Sequence, residues 1–208
     1  MNADDYKALI KFLYFPKKPE IIKVPPLLYA MIDGQGDPNT SQTFQDAVGA
    51  LYAISYGIKM LPKKGIVPDR YFEYKVNALE GLWTMPEGTA FDGTNKDAFV
   101  WTLMIQQPPF VTQELFDAVR KEQLKKKGNE ALNRVRLETL NEGLCCQTLH
   151  IGAFDDEPIT FSKMHDFIDV QGYKRTSKQH HEIYMSDFRR VAAEKCKTIL
   201  RFGVVAQD

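Results

Sequence analysis

The same series of signals runs through this chain twice. Residues 27–34 read as an apolar strand that closes in a glycine turn, and Asp37-Pro38 follows as a helix start with Asp as cap and Pro in the first turn. The next helix places Phe44, Val48, Leu51 and Ser55 at helical spacing, with Tyr52 and Tyr56 alongside, and Pro62 ends it. Strands at about 71–83 and 98–107 complete the unit, separated by a polar loop containing Pro86, Gly88 and Asp92-Gly93. From residue 144 the order recurs. A strand over 144–151 ends at Gly152, and Asp155-Asp156-Glu157-Pro158 forms an acidic cap. A helix with Met164, Phe167 and Ile168 on one face stops at Gly172, and strands follow at 180–185 and 198–205.

These signals predict an α+β domain over 26–208, built from two βαββ halves of about 26–109 and 143–208. The first half has the longer helix or connection. Residues 1–25 read as a short lead-in with a turn of helix near Tyr6–Phe12. The charged stretch 110–142, broken at Gly128-Asn129, is expected to be two helices crossing between the halves. Within it, Lys125-Lys126-Lys127 reads as a solvated helix end before Gly128, where cations are favoured, more than as a phosphate patch.

One strand of the second half carries an unusual burden. In His180-His181-Glu182-Ile183-Tyr184-Met185 the side chains alternate, so His180, Glu182 and Tyr184 share one face and His181, Ile183 and Met185 the other. Burying an unpaired carboxylate there costs several kcal/mol, roughly, so Glu182 calls for a partner, a cationic ligand or acid–base chemistry. An ion pair with Arg201 on the next strand is the structural reading, and a general base with a raised pKa is the chemical one. Glu80 sits near the end of a strand in the first half, which suggests two related glutamates flanking a site between the halves.

Bulk properties narrow the choice of function. Lys plus Arg and Asp plus Glu both number 27, so the basic excess of a nucleic-acid binder is absent. Aromatic residues make up 12% of the chain, enough for a large core or an aromatic-walled pocket. Cys145, Cys146 and Cys196 are odd in number and match no disulfide framework or zinc pattern, which points to a reducing, cytoplasmic setting. The polar N-terminus is not a signal peptide, and no apolar run is long enough to span a membrane. His150, His165, His180 and His181 lack metalloenzyme spacing, so neither a metal nor a cofactor is expected. Gly34-Gln35-Gly36 lacks the third glycine of a dinucleotide turn, and no nucleophile elbow is present.

Five separated motifs carry a resemblance. They are Leu79-Glu80-Gly81-Leu82-Trp83, the Trp101–Pro108 strand, Gly143–Gly152, Asp155-Asp156-Glu157-Pro158 and His181-Glu182-Ile183-Tyr184-Met185-Ser186-Asp187. Over about 20–207 the chain resembles the GyrI-like small-molecule-binding proteins, in particular the stand-alone branch that includes cyclopropanoid cyclopropyl hydrolases. The resemblance implies the duplicated βαββ, SOUL-like effector-binding fold with a ligand cleft between its halves. It implies binding of bulky hydrophobic aromatic molecules, and in the hydrolase branch opening of the cyclopropane of DNA-alkylating compounds. A non-catalytic drug-sequestering or ligand-sensing module is the alternative, and a gyrase inhibitor a further one. Carried onto this sequence, Glu182 and Tyr184 take the catalytic positions, and Trp83 and Trp101 the ligand-binding ones. Glu80, Tyr52 and Tyr56 join them as candidate ligand contacts. The chain departs from the pattern at Thr84, where relatives have an aromatic residue that shapes the pocket wall. It departs again at Phe188, where a proline is common and only a hairpin is affected.

Overall fold

The computed structural model describes residues 1–89, 94–187 and 190–207. The Asp92-Gly93 turn and Phe188 lie outside them. Helix α1 (Ala3–Tyr14) precedes strands β1 (Glu20–Val24) and β2 (Leu27–Gln35), helix α2 (Gln42–Lys59), and strands β3 (Leu79–Thr84) and β4 (Val100–Gln106). Helix α3 (Gln113–Lys127) and strand β5 (Arg136–Leu140) lead to the second half: β6 (Gly143–Ile151), α4 (Glu157–Val170), β7 (Tyr173–Arg175), β8 (His180–Tyr184) and β9 (Lys197–Ala206).

The strands form an antiparallel sheet in the order β1-β6-β9-β8-β3-β4-β2-β5, with β7 added to β9. The duplicated βαββ architecture is therefore present. One half contributes β3-β4-β2, the other β8-β9-β6, and the halves meet where β3 pairs with β8, with Gly81 opposite Glu182 and Trp83 opposite His180. Each half also gives its leading strand away. β1 precedes the first half but pairs with β6 of the second, and β5 precedes the second half but pairs with β2 of the first.

Two expectations change here. Residues 1–25 are an integral layer of the fold. Asn2 and Asp5 form a reciprocal capping box, so α1 runs a full 12 residues and buries Tyr6, Leu13 and Tyr14. The second expected helix of 110–142 is strand β5. Gly128, with a left-handed φ of 65°, ends α3 just after the three lysines, and a 3-10 turn over Glu130–Arg134 delivers the chain to the edge of β2. Smaller shifts follow from local hydrogen bonds. Ser41 rather than Asp37 caps α2, accepting from the Phe44 amide at 3.2 Å, while Asp37 holds the preceding turn through the Asn39 amide. Residues 71–78 lie outside the strand expected to span 71–83, which begins at Leu79.

Three helices cover the sheet. α2 buries Phe44, Ala47, Leu51, Ile54 and Ile58 at three- and four-residue spacing against Ala30, Ile32, Leu103 and Ile105. Each large aliphatic side chain so buried contributes roughly 1.5–3 kcal/mol. α4 packs Met164 and Ile168 on Leu200 and Phe202 of its own, second half. α1 seals the opposite face through Leu13 and Tyr14 against Tyr29, Met31, Ile183 and Ile199. α3 packs outside α2, where Gly57 permits the approach: a Cβ there would lie 2.6 Å from Val119.

Candidate functional site

Strand β8 presents two chemically different faces. His180, Glu182 and Tyr184 project toward the α2/α4 side, as the alternation requires. Glu182 is 8% exposed, and His180 Nε2 lies 2.8 Å from its Oε1. The first turn of α4 brings Glu157, 6% exposed, beside Glu182. Burial, then the charge of Glu182, push the Glu157 carboxyl well above the usual carboxylate range. Tyr184 accepts a 2.7 Å hydrogen bond from Trp83 Nε1. Burial and the neighbouring Glu182 keep its phenol protonated to well above the ordinary value. Gly81 makes this arrangement possible, since a Cβ on it would lie 2.6 Å from Trp83 Nε1 and 3.2 Å from the Tyr184 hydroxyl. Phe154 packs edge-on to Tyr184 and Phe161 edge-on to His180, walling the group with aromatic carbon.

The other face of β8 is a closed ionic cluster. His181 Nδ1 bonds Glu142 Oε1 at 2.9 Å, and its Nε2 lies 2.8 Å from Glu80 Oε2, off the line of a full hydrogen bond. Arg201 donates to Glu142 Oε2 at 2.8 Å, to Gln147 and to the Leu13 carbonyl. Tyr14 and Tyr29 both donate to Glu80. Burial alone would raise Glu142, but His181 and Arg201 pull it down to about 2. Burial alone would lower His181, but Glu142 and Glu80 hold it up at about 9.

The sequence candidates thus separate. Glu182, Tyr184 and Trp83 come together. Glu80 does not join them, because it pairs across from Ile183 and so points to the α1 face. The proposed Glu182–Arg201 ion pair is replaced by Glu142–Arg201 for the same reason of strand parity. Trp101 is a core residue, 1% exposed: its ring lies over Gly34, where any Cβ would sit 2.0 Å from it, and against Phe44. Tyr52 and Tyr56 stand side by side on α2, 6.2 Å between ring centres. With Val48, Leu79, Tyr184 and Met185 they line a groove of about 260 Å³. A larger depression of about 600 Å³ lies on their other flank, between α2 and α3, and is lined by neither Glu182 nor Tyr184. The smaller groove is the one that reaches Tyr184.

Sequence reading missed Glu157 as a site residue and Glu142 altogether. Glu157 was visible only as one of three acids in a helix cap. Glu157, His180 and Glu182 bring one donor atom each within 4.8 Å of one another, a grouping that histidine spacing could not reveal because one member comes from another element. His150 is structural, bonded to Thr160 and the Ala153 carbonyl, and His165 lies against the Phe202 ring.

Two βαββ units sharing one sheet, with helices over the same face of both, define an effector-binding type of domain. The chain belongs to the GyrI-like small molecule binding domain family, which matches residues 17–202. It is similar to a hydrolase encoded by lin2189 from Listeria innocua, with 40% identity over 96% of this chain and 98% of that one and a TM-score of 0.89. It is similar also to a second hydrolase from Listeria innocua, with 38% identity, the same coverages and a TM-score of 0.86. An uncharacterized conserved protein from Listeria innocua is 41% identical, again over 96% and 98% of the two chains, with a TM-score of 0.87. No curated protein sequence matched the chain.

Proposed function

We propose that this protein binds a bulky, largely aromatic small molecule between α2 and β8 and hydrolyses a strained ring in it, the cyclopropane of cyclopropanoid DNA-alkylating compounds. The observation that carries the reading is the buried constellation of Glu182, Glu157 and Tyr184 beside an aromatic groove. The likeness to two Listeria hydrolases supports it.

In the proposed reaction Glu182 takes a proton from water while the water oxygen bonds to a cyclopropane carbon. The C–C bond of the ring breaks, and its electron pair passes into the conjugated dienone, which becomes a phenolate. Tyr184 donates to that oxygen, and the proton returns from Glu182 to give the phenol. Trp83 fixes the Tyr184 hydroxyl, Glu157 supplies the neutral carboxyl that lets its neighbour act as base, and Tyr52 and Tyr56 face the flat ligand. General-base assistance of this kind contributes on the order of 10² to 10⁴ in rate.

The groove is smaller than the roughly 300–1,000 Å³ of common ligand pockets, so entry requires it to widen. Glu182 is not on its wall, which favours a second reading: a sequestering module that binds without turnover. Among the described residues no helix is long and apolar enough to cross a membrane. The three free, buried cysteines suit a cytoplasmic setting, and no direct nucleic-acid contact is expected. Incubation of wild type and Glu182→Gln with a cyclopropane-bearing alkylating agent, followed by mass spectrometry in ¹⁸O-labelled water, decides between the readings. Labelled ring-opened product from wild type alone supports hydrolysis. Tight binding without product from either protein supports sequestration.

A further inference from the structure

We infer that Glu157, His180 and Glu182 form a binding site for a divalent transition-metal ion of the zinc type. Their three donor atoms lie within 4.8 Å of one another, two of them on alternate residues of β8 and the third on the first turn of α4. An independent observation points to a missing ligand: Glu157 Oε1 is buried with no donor to it, and the side chain's hydrogen-bonding neighbour is a second acid, Glu182. Among the described residues no Lys or Arg pairs with either glutamate, and His180 is the ion-pair partner of Glu182. Two carboxylates removed from water side by side carry a large penalty unless a cation or a proton lies between them. The N-terminus of α4 offsets only a small part of it.

The donor set selects the metal. One imidazole nitrogen and two carboxylate oxygens, with no thiolate, suit zinc, iron or manganese, whereas magnesium prefers an all-oxygen shell rich in water. Three protein ligands leave a position for water, as in open zinc sites. Donors around one zinc ion stand about 3.3 Å apart, by tetrahedral geometry at the usual bond lengths. His180 Nε2 and Glu182 Oε1 are hydrogen-bonded at 2.8 Å, so a metal would displace the proton between them and part them to about 3.3 Å, while Glu157 closes in by side-chain rotation. Phe161 against the His180 ring would hold its orientation. One consequence rests on the proposed function: a carboxylate that ligates zinc cannot also take a proton from water, so the metal would compete with turnover.

The test uses the full chain, stripped with a chelator and free of any histidine tag. It is dialysed against Zn²⁺, Mn²⁺ or Mg²⁺, with bound metal read by mass spectrometry. Wild type is expected to keep one equivalent of Zn²⁺, little Mg²⁺, and to give a Co²⁺ absorption spectrum without a thiolate charge-transfer band. Glu157→Gln and His180→Gln should each weaken Zn²⁺ binding by at least about tenfold. If Glu157→Gln does not fold, His180→Gln decides, since that side chain is partly exposed. Zn²⁺ retention no greater than that of the variants, equal retention of Mg²⁺, or a thiolate band would overturn the site and leave a shared proton as the answer to the carboxylate pair. Because turnover and aromatic-ligand binding are measured on the chelated protein, failure of the metal site and failure of the proposed function are read separately.

Discussion

The two faces of β8 hold similar residues to opposite ends. Toward α1, the carboxylates of Glu80 and Glu142 meet two cationic partners, His181 and Arg201, and Tyr14, Tyr29 and Gln147 add hydrogen bonds, with only the His181 Nε2 contact to Glu80 off line. Toward α4, Glu157 and Glu182 meet one imidazole, and one carboxylate oxygen has no partner. The first arrangement is balanced and suits a structural role. The second is held in a strained electrostatic state, which is where reactivity and ligand affinity are found. Under the proposed function, adjacent residues of one strand, His181 and Glu182, would serve the two purposes separately.

The largest expected contrast is in rate. Glu182→Gln should lower turnover of a cyclopropanoid substrate by about 10²–10⁴ with little change in its dissociation constant, measured by stopped assays and by fluorescence titration. Equal losses of binding and turnover would mean Glu182 only holds the ligand. Next comes stability. Glu142→Gln leaves Arg201 and His181 short of a counter-charge and should cost about 3–5 kcal/mol in urea unfolding, whereas Glu157→Gln puts a neutral amide where the proposed function has a neutral carboxyl and should cost under about 1 kcal/mol. Comparable losses from the two would erase the distinction between the faces.

The balanced cluster also sets a pH window. His181 is raised to about 9, so its contribution is complete below its unfolded value near 6.5 and fades as pH climbs through 9. Glu142 is lowered to about 2, so its contribution is complete above about 4.5 and fades as pH falls toward 2. Thermal melts should therefore plateau between about pH 5 and 6.5, and His181→Gln should remove the alkaline slope and also shrink the acid one, because His181 is one of the two groups that pull Glu142 down. A more local effect is expected at Gly81→Ala, where the added methyl presses on Trp83 and Tyr184. A cost of about 1–3 kcal/mol should come with a shift in tryptophan emission as the Trp83–Tyr184 bond is lost.

Much of this was legible in sequence because period-two alternation is local: the faces of His180, Glu182 and Tyr184 follow from counting. The duplicated order of strand, glycine turn, capped helix and two strands was legible for the same reason. What failed depends on partners distant along the chain. Arg136–Leu140 is charged and short, and becomes a strand only because the edge of β2 is open to it. Glu20–Val24 was hidden in a lead-in bounded by prolines and finds its ladder on β6, more than a hundred residues away. Glu80 was assigned to the wrong side because the registration of β3 against β8, which its own sequence does not contain, puts Gly81 rather than Glu80 opposite Glu182. Glu157 could not be told from Asp155 and Asp156 until α4 was docked.

The exchange of β1 and β5 between the halves bears on how such a molecule could be taken apart. A chain cut within the 3-10 turn before β5 would yield two fragments, each keeping the other's outermost strand and each lacking its own. Neither piece could complete its ladder alone, yet together they carry every partner. The halves are clasped like linked arms, and separately expressed fragments should reassemble only with one another.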